Sequence, residues 1–487
     1  MAKIFRFPPT KGLDTVTDQI TMKADYAPVA RNVYADERGL WTKRPGTVAA
    51  SQAITGSPSV ESLVLYRKRD GTEHIIAAAG GSLLLLNSDQ TWTTIRTGLG
   101  SNKISAATFN DKLVIFNGVN LPFWTDGTTW GELSNICTGI CTDWAYGDTP
   151  KHVLTFKGRL FAAGRPGARQ MVYYSALQDM NDWVSANNAG YIDLSMQASI
   201  ASGEVTALAV WEGYLVFMMA DEVFVWDWDS PQSQGLVKVF PVGAPYGCPV
   251  GFGTDLVFAS RLGVKSLTRS QKTGELNVGN LSEKVETLIL SRMKASGVVA
   301  SAIAPTLRLV LLNMPPSILV YDYTRGAWFE WTGITAHSML RVGYHLYIGG
   351  QGKVYRLDQQ VVSDDGTAYE MYLETPWLTL GNATLYKKPI WLKLIIGEGA
   401  LGTLTVSEQV DFSSWSSVNQ EFTASSGSYW RSSYWRTALW RGTKSVGVSI
   451  PLLGRGRAVK FGFKHTEAKP FSVAAEELIY SESGLRA

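Results

Sequence analysis

The stretch Leu154-Thr-Phe-Lys-Gly-Arg-Leu-Phe-Ala-Ala163 consists of two short apolar runs joined by a Lys-Gly turn, the pattern of a tight β-hairpin. It returns as Ala107-Thr-Phe-Asn-Asp-Lys-Leu-Val-Ile-Phe116 and as Leu208-Ala-Val-Trp-Glu-Gly-Tyr-Leu-Val-Phe217. Looser copies occupy 63–77, 250–259, 303–312 and 341–350. Turn centres from Asp70 to Tyr344 recur at a mean spacing of about 46 residues, which suits the four-stranded blade of a β-propeller. A third, aromatic-rich strand follows several of the hairpins, as in Met171-Val-Tyr-Tyr-Ser175, Val223-Phe-Val-Trp-Asp-Trp228 and Ile318-Leu-Val-Tyr-Asp-Tyr323. Such aromatics are expected to pack blade against blade.

Working outward, the fold reads as all-β: a propeller of about seven blades over residues 61–380, an N-terminal arm over 1–60, and a C-terminal β-sandwich or barrel over 381–487. The last unit, around Tyr344, leaves two sources for its outer strand, residues 369–378 or the N-terminal arm. Within the arm, residues 26–34 read as a short helix or turn, and 51–59 as a Ser/Gly/Pro linker. From about Lys387 the hairpin repeat gives way to longer alternating runs such as 390–396 and 458–463.

Composition supports a folded, turn-rich β protein. Of 487 residues, 45% are apolar and 18% charged, with 47 Gly, 17 Trp and 20 Tyr. The first twelve residues hold no apolar run of signal-peptide length, so synthesis is expected in the cytoplasm. The longest apolar stretch, 75–86, is interrupted by Gly80 and Gly81, and no membrane span is expected. Cys137, Cys141 and Cys248 read as plain core cysteines in a reducing compartment.

Chemistry is sparse in the sequence. The five histidines, at 74, 152, 337, 345 and 465, are scattered singly and read as structural residues. No phosphate loop opens a helix, and no metal, cofactor or catalytic set is expected. The turn Thr125-Asp-Gly-Thr-Thr-Trp130 comes close to the Asp-box of sialidases but lacks one spacer residue. The most unusual pattern is Tyr429-Trp-Arg-Ser-Ser-Tyr-Trp-Arg-Thr-Ala-Leu-Trp-Arg441. A repeat of five fits neither strand nor helix. Trp and Arg dominate interface hot spots, so Trp430, Arg431, Trp435, Arg436, Trp440 and Arg441 are candidate subunit-interface residues. Surface packing through cation-π contacts and nucleic-acid contact are the competing readings.

Lys11-Gly-Leu-Asp-Thr-Val-Thr-Asp18 and Ala30-Arg-Asn-Val-Tyr-Ala-Asp-Glu-Arg-Gly-Leu-Trp-Thr-Lys-Arg-Pro-Gly46 together resemble the opening of tail nozzle proteins of short-tailed bacteriophages, also called packaged-DNA stabilisation or tail tubular proteins. The resemblance continues through the Lys157–Phe161 turn and through Met171–Ser175 followed by Asn181-Asp-Trp183. It implies a non-enzymatic structural virion protein in a hexameric ring below the portal and adaptor, lining and closing the DNA exit channel. Implied partners are copies of itself, the head-to-tail adaptor, tail fibre, spike or needle proteins, and double-stranded DNA passing without sequence specificity. The implied location is the virion tail, assembled in the host cytoplasm. A near-neutral chain, formally +3, suits a channel through which DNA must slide, because many phosphate contacts would hold the duplex. Two rival readings are a carbohydrate-binding or glycan-cleaving propeller, resting on the Thr125–Trp130 turn, and a peptide-binding scaffold propeller.

Overall fold

The computed structural model describes residues 2–7, 11–133, 138–199, 203–269, 275–397, 400–422, 446–452 and 454–483. Among these the chain is built almost wholly of strands, with one α-helix at Glu286–Ala295.

The turn chemistry quoted first is the chemistry the structure uses. Asn110 and Asp111, Lys157 and Gly158, and Glu212 and Gly213 each have positive φ at both positions, as a two-residue type I′ turn requires. The flanking residues pair across the loops, Phe109 with Lys112, Phe156 with Arg159, and Trp211 with Tyr214. Local sequence therefore sets register, and register sends alternate side chains into the gaps between blades.

Six four-stranded sheets stand as separate blades: 60–97, 105–132, 152–193, 205–240, 250–280, and 338–358 completed by Gly46–Ala49. The gaps between them hold the core. Trp228, fully buried, meets Phe161 of the preceding blade edge-on with ring centres 4.9 Å apart, and Trp144 meets Trp183 at 5.1 Å. The repeated aromatics thus hold blade to blade.

The expected count of about seven blades needs correction at one unit. Residues 300–331 form a fourfold meander between the fifth and last blades, but it is not a separate sheet. Its outer strand, Ala327–Trp331, pairs in parallel with Val29–Arg31, which pairs antiparallel with Met371–Glu374. Hydrogen bonding therefore runs on through Val459–His465, Gly402–Val410 and Ser416–Phe422, giving one nine-stranded sheet. A second sheet joins Val33–Ala35, Trp41–Lys43, Ser472–Ser483, Tyr386–Ile396 and Val446–Pro451, with Ala2–Arg6 added to Ser472–Ser483. Phe461 and Phe463 of the first sheet share a core with Leu392, Leu394 and Leu478 of the second, so the C-terminal body is a sandwich.

The N-terminal residues serve both bodies. Gly46–Ala49 supplies the outer strand of the last blade, and the strands before it enter the sandwich sheets. The segment read as a helix or turn at 26–34 is instead two short strands hinged at Asn32, whose φ of 55° is incompatible with a right-handed helix. Cys141 is disulfide-bonded, which corrects the expectation of three plain core cysteines, and Cys248 is free. No helix among the described residues is long and apolar enough to cross a membrane.

Candidate functional site

Trp430, Arg431, Trp435, Arg436, Trp440 and Arg441 lie outside the described residues. Two other places gather polar groups: the joint between propeller and sandwich, and the propeller axis.

The joint is built from the segment that carries the family resemblance. Arg44 is 0% exposed, and its guanidinium grips both carboxylate oxygens of Asp364 at 2.9 and 2.5 Å, a fork-on-fork ion pair. The same group donates from Nε to the Asn32 side-chain oxygen at 2.9 Å and to the carbonyls of Pro45 and Thr332. The Asn32 amide nitrogen donates to the Thr332 hydroxyl and the Glu370 carbonyl, while its oxygen also accepts from the Thr332 N–H. The Tyr369 ring lies 3.6 Å from the guanidinium carbon, and its hydroxyl donates to the Arg44 carbonyl. Each member is thereby partnered, which a buried polar network requires. The neighbouring Lys43, also buried, has its ammonium pushed down to about 8, chiefly by burial and then by Arg44.

The axial funnel is the place the sequence did not reveal. The starts of the inner strands converge on a cavity of about 410 Å³, lined by Glu61, Lys103, His152, Cys248 and His337, each from a different blade or unit. Hydroxyls stitch this inner ring together. The Ser338 hydroxyl donates to the Val60 carbonyl, Ser301 to Cys248, and Ser62 accepts from the Ile104 N–H. These bonds consume the serines and leave the longer side chains facing the cavity. Nε2 of His337 is buried without a partner among the described residues. The His152 ring lies against Gly164, where a Cβ would come within 2.9 Å of it, and burial pushes its pKa down to about 4. Burial raises the Cys248 thiol, and the Lys103 ammonium acts against that rise. His152 and His337, both read as isolated structural histidines, are thus brought to one cavity. Only long-range closure of the ring places them together, and no local spacing signals it.

His465 belongs to the sandwich, stacked on Phe471 and donating to the Leu401 carbonyl if Nε2 carries its proton. The Asp126 carboxylate accepts from the backbone N–H groups and hydroxyls of Thr128 and Thr129, all at 2.7 to 2.9 Å. Burial works to raise its pKa, and these bonds outweigh it and hold the group well below the ordinary carboxylate range. The Asp-box-like turn therefore spends its carboxylate on its own loop. Among the described residues no group of three or more His, Cys, Asp or Glu side chains is placed to hold a metal ion.

No protein-family model and no curated protein matches the chain. Similar solved structures include a streptogramin B lyase, at 9% identity and TM-score 0.44 over 63% of this chain and 95% of that one. Virginiamycin B lyase from Staphylococcus aureus gives 12% identity and TM-score 0.42 over 63% and 96%. The extracellular domain of BT4673 from B. thetaiotaomicron gives 9% and 0.46 over 85% and 60%. These are likenesses of fold.

Proposed function

We propose that this chain is a structural, non-enzymatic subunit of a short-tailed phage tail nozzle, a homo-oligomeric ring, hexameric by resemblance, that surrounds the DNA exit channel below the portal and adaptor. The observation that carries the reading is the joint. Asn32, Arg44 and Gly46, within the segment that resembles nozzle proteins, lock a propeller and a sandwich into one body through buried bonds. A subunit that must hold its shape under the pressure of packaged DNA needs such a joint.

Two further features favour it. The chain is close to electrically neutral, as suits a wall along which duplex DNA slides without being held. The Asp126 carboxylate, on which the glycan-cleaving alternative rests, is occupied by its own turn. Within this reading the ring contacts the adaptor above and fibre, spike or needle proteins below, and it assembles on the virion in the host cytoplasm.

The reading is tested by assembling phage particles without this chain. Heads that fill with DNA, lack the distal tail and then lose their genome are expected. Particles with complete tails would overturn it.

A further inference from the structure

The axial funnel has the size of a small-molecule site, about 410 Å³, and gathers polar groups left without partners. Among the described residues, the Lys103 ammonium, the His337 Nε2 and the Glu61 carboxylate make no hydrogen bond or ion pair within the chain. For the buried His337 Nε2 a missing partner costs free energy unless a ligand or water meets it.

We propose that the funnel is a binding site for a small oxyanion that keeps one proton, the chemistry of hydrogen phosphate. Lys103, which lines the funnel, supplies the charge. His337 presents Nε2 to an anion oxygen. Glu61, half-buried in the same lining, repels a bare anion and accepts from a ligand that brings a donor O–H, so it favours hydrogen phosphate over sulfate. His152, neutral because burial depresses its pKa, serves as a hydrogen-bonding wall and adds no charge. The site is independent of the nozzle reading, since it lies on the axis of one subunit.

Cys248, a free thiol lining the same funnel, reports occupancy. The full-length protein is treated with N-ethylmaleimide, and labelling of the Cys248 peptide is followed by mass spectrometry with inorganic phosphate, sulfate or neither. Labelling is expected to slow about ten-fold once phosphate reaches about ten times its dissociation constant, and much less with sulfate. Lys103→Met, at an exposed side chain, is expected to abolish protection while leaving the circular dichroism melt unchanged. Glu61→Gln is expected to remove the preference for phosphate over sulfate. Equal labelling with and without phosphate, or protection that persists in Lys103→Met, would overturn the proposal.

Discussion

Arg44 is the residue on which the joint depends. It is buried with no exposed surface and makes five hydrogen bonds, one each to Asn32, Pro45 and Thr332 and two to Asp364. Arg44→Ala would strip Asp364 of its ion-pair partner, leaving it the Thr47 hydroxyl, and would leave the Asn32 oxygen with the Thr332 N–H. Breaking one side of a buried pair costs about 3–5 kcal/mol, and that loss is expected in chemical denaturation. Arg44→Lys is also expected to be damaging, because an ammonium cannot reproduce the planar fork.

Glu476 makes a second residue-scale prediction. It lies on the interior face of Ser472–Ser483 opposite Leu394, is 1% exposed, and neither of its carboxyl oxygens has a partner among the described residues. Burial raises its pKa to about 8. The unfolded chain releases this proton near the ordinary glutamate value, so between that value and pH 8 the folded state binds one proton more and stability falls as pH rises. The depressed histidines contribute with the opposite sign until the unfolded imidazoles finish titrating, at about pH 7.5. The depressed Lys43, with a folded value of about 8, contributes its linkage, also of opposite sign, from about there upward. Between about pH 5.5 and 7, where the folded carboxyl is still protonated, Glu476 itself contributes a fall of about 1.4 kcal/mol per pH unit, which comparison with a variant isolates. Glu476→Gln is expected to remove that component from stability measured by denaturant titration. An unchanged slope would show that the carboxyl titrates at an ordinary value.

Among elements, Gly46–Ala49 closes the propeller, since it joins the outer edge of Val354–Asp358 from the other end of the chain. Gly46 permits this approach, because a Cβ there would sit 2.1 Å from the Ser363 carbonyl oxygen. Gly46→Ala is therefore expected to destabilise the last blade by about 1–3 kcal/mol, with faster amide exchange in 354–358 than in the first blade. The hairpins were readable in the sequence because a type I′ pair such as Lys157-Gly158 fixes its strands locally. Gly46–Ala49 and Val29–Arg31 were not, being three or four residues long and pairing with partners about 300 residues away. Such pairing depends on ring closure and carries no local period. For the same reason Lys103, His152 and His337 gave no joint signal, whereas Asn32 and Arg44-Pro-Gly46 stood out by resemblance and proved to be buried structure.

At the scale of the whole molecule, propeller and sandwich share one hydrogen-bonded sheet, so the subunit is expected to move as a rigid unit in any assembly. Within the nozzle reading, replacing Trp430, Trp435 and Trp440 together by Ala is expected to shift the protein toward monomer in sedimentation while leaving its thermal melt in place. Retained assembly would assign those residues to surface packing. The most direct test of the central claim is electron microscopy of the purified full-length protein. The nozzle reading predicts closed rings of identical subunits, six by resemblance, around an axial channel wide enough to pass duplex DNA. Particles that remain single subunits at every concentration, with no ring in isolated tails, would contradict it.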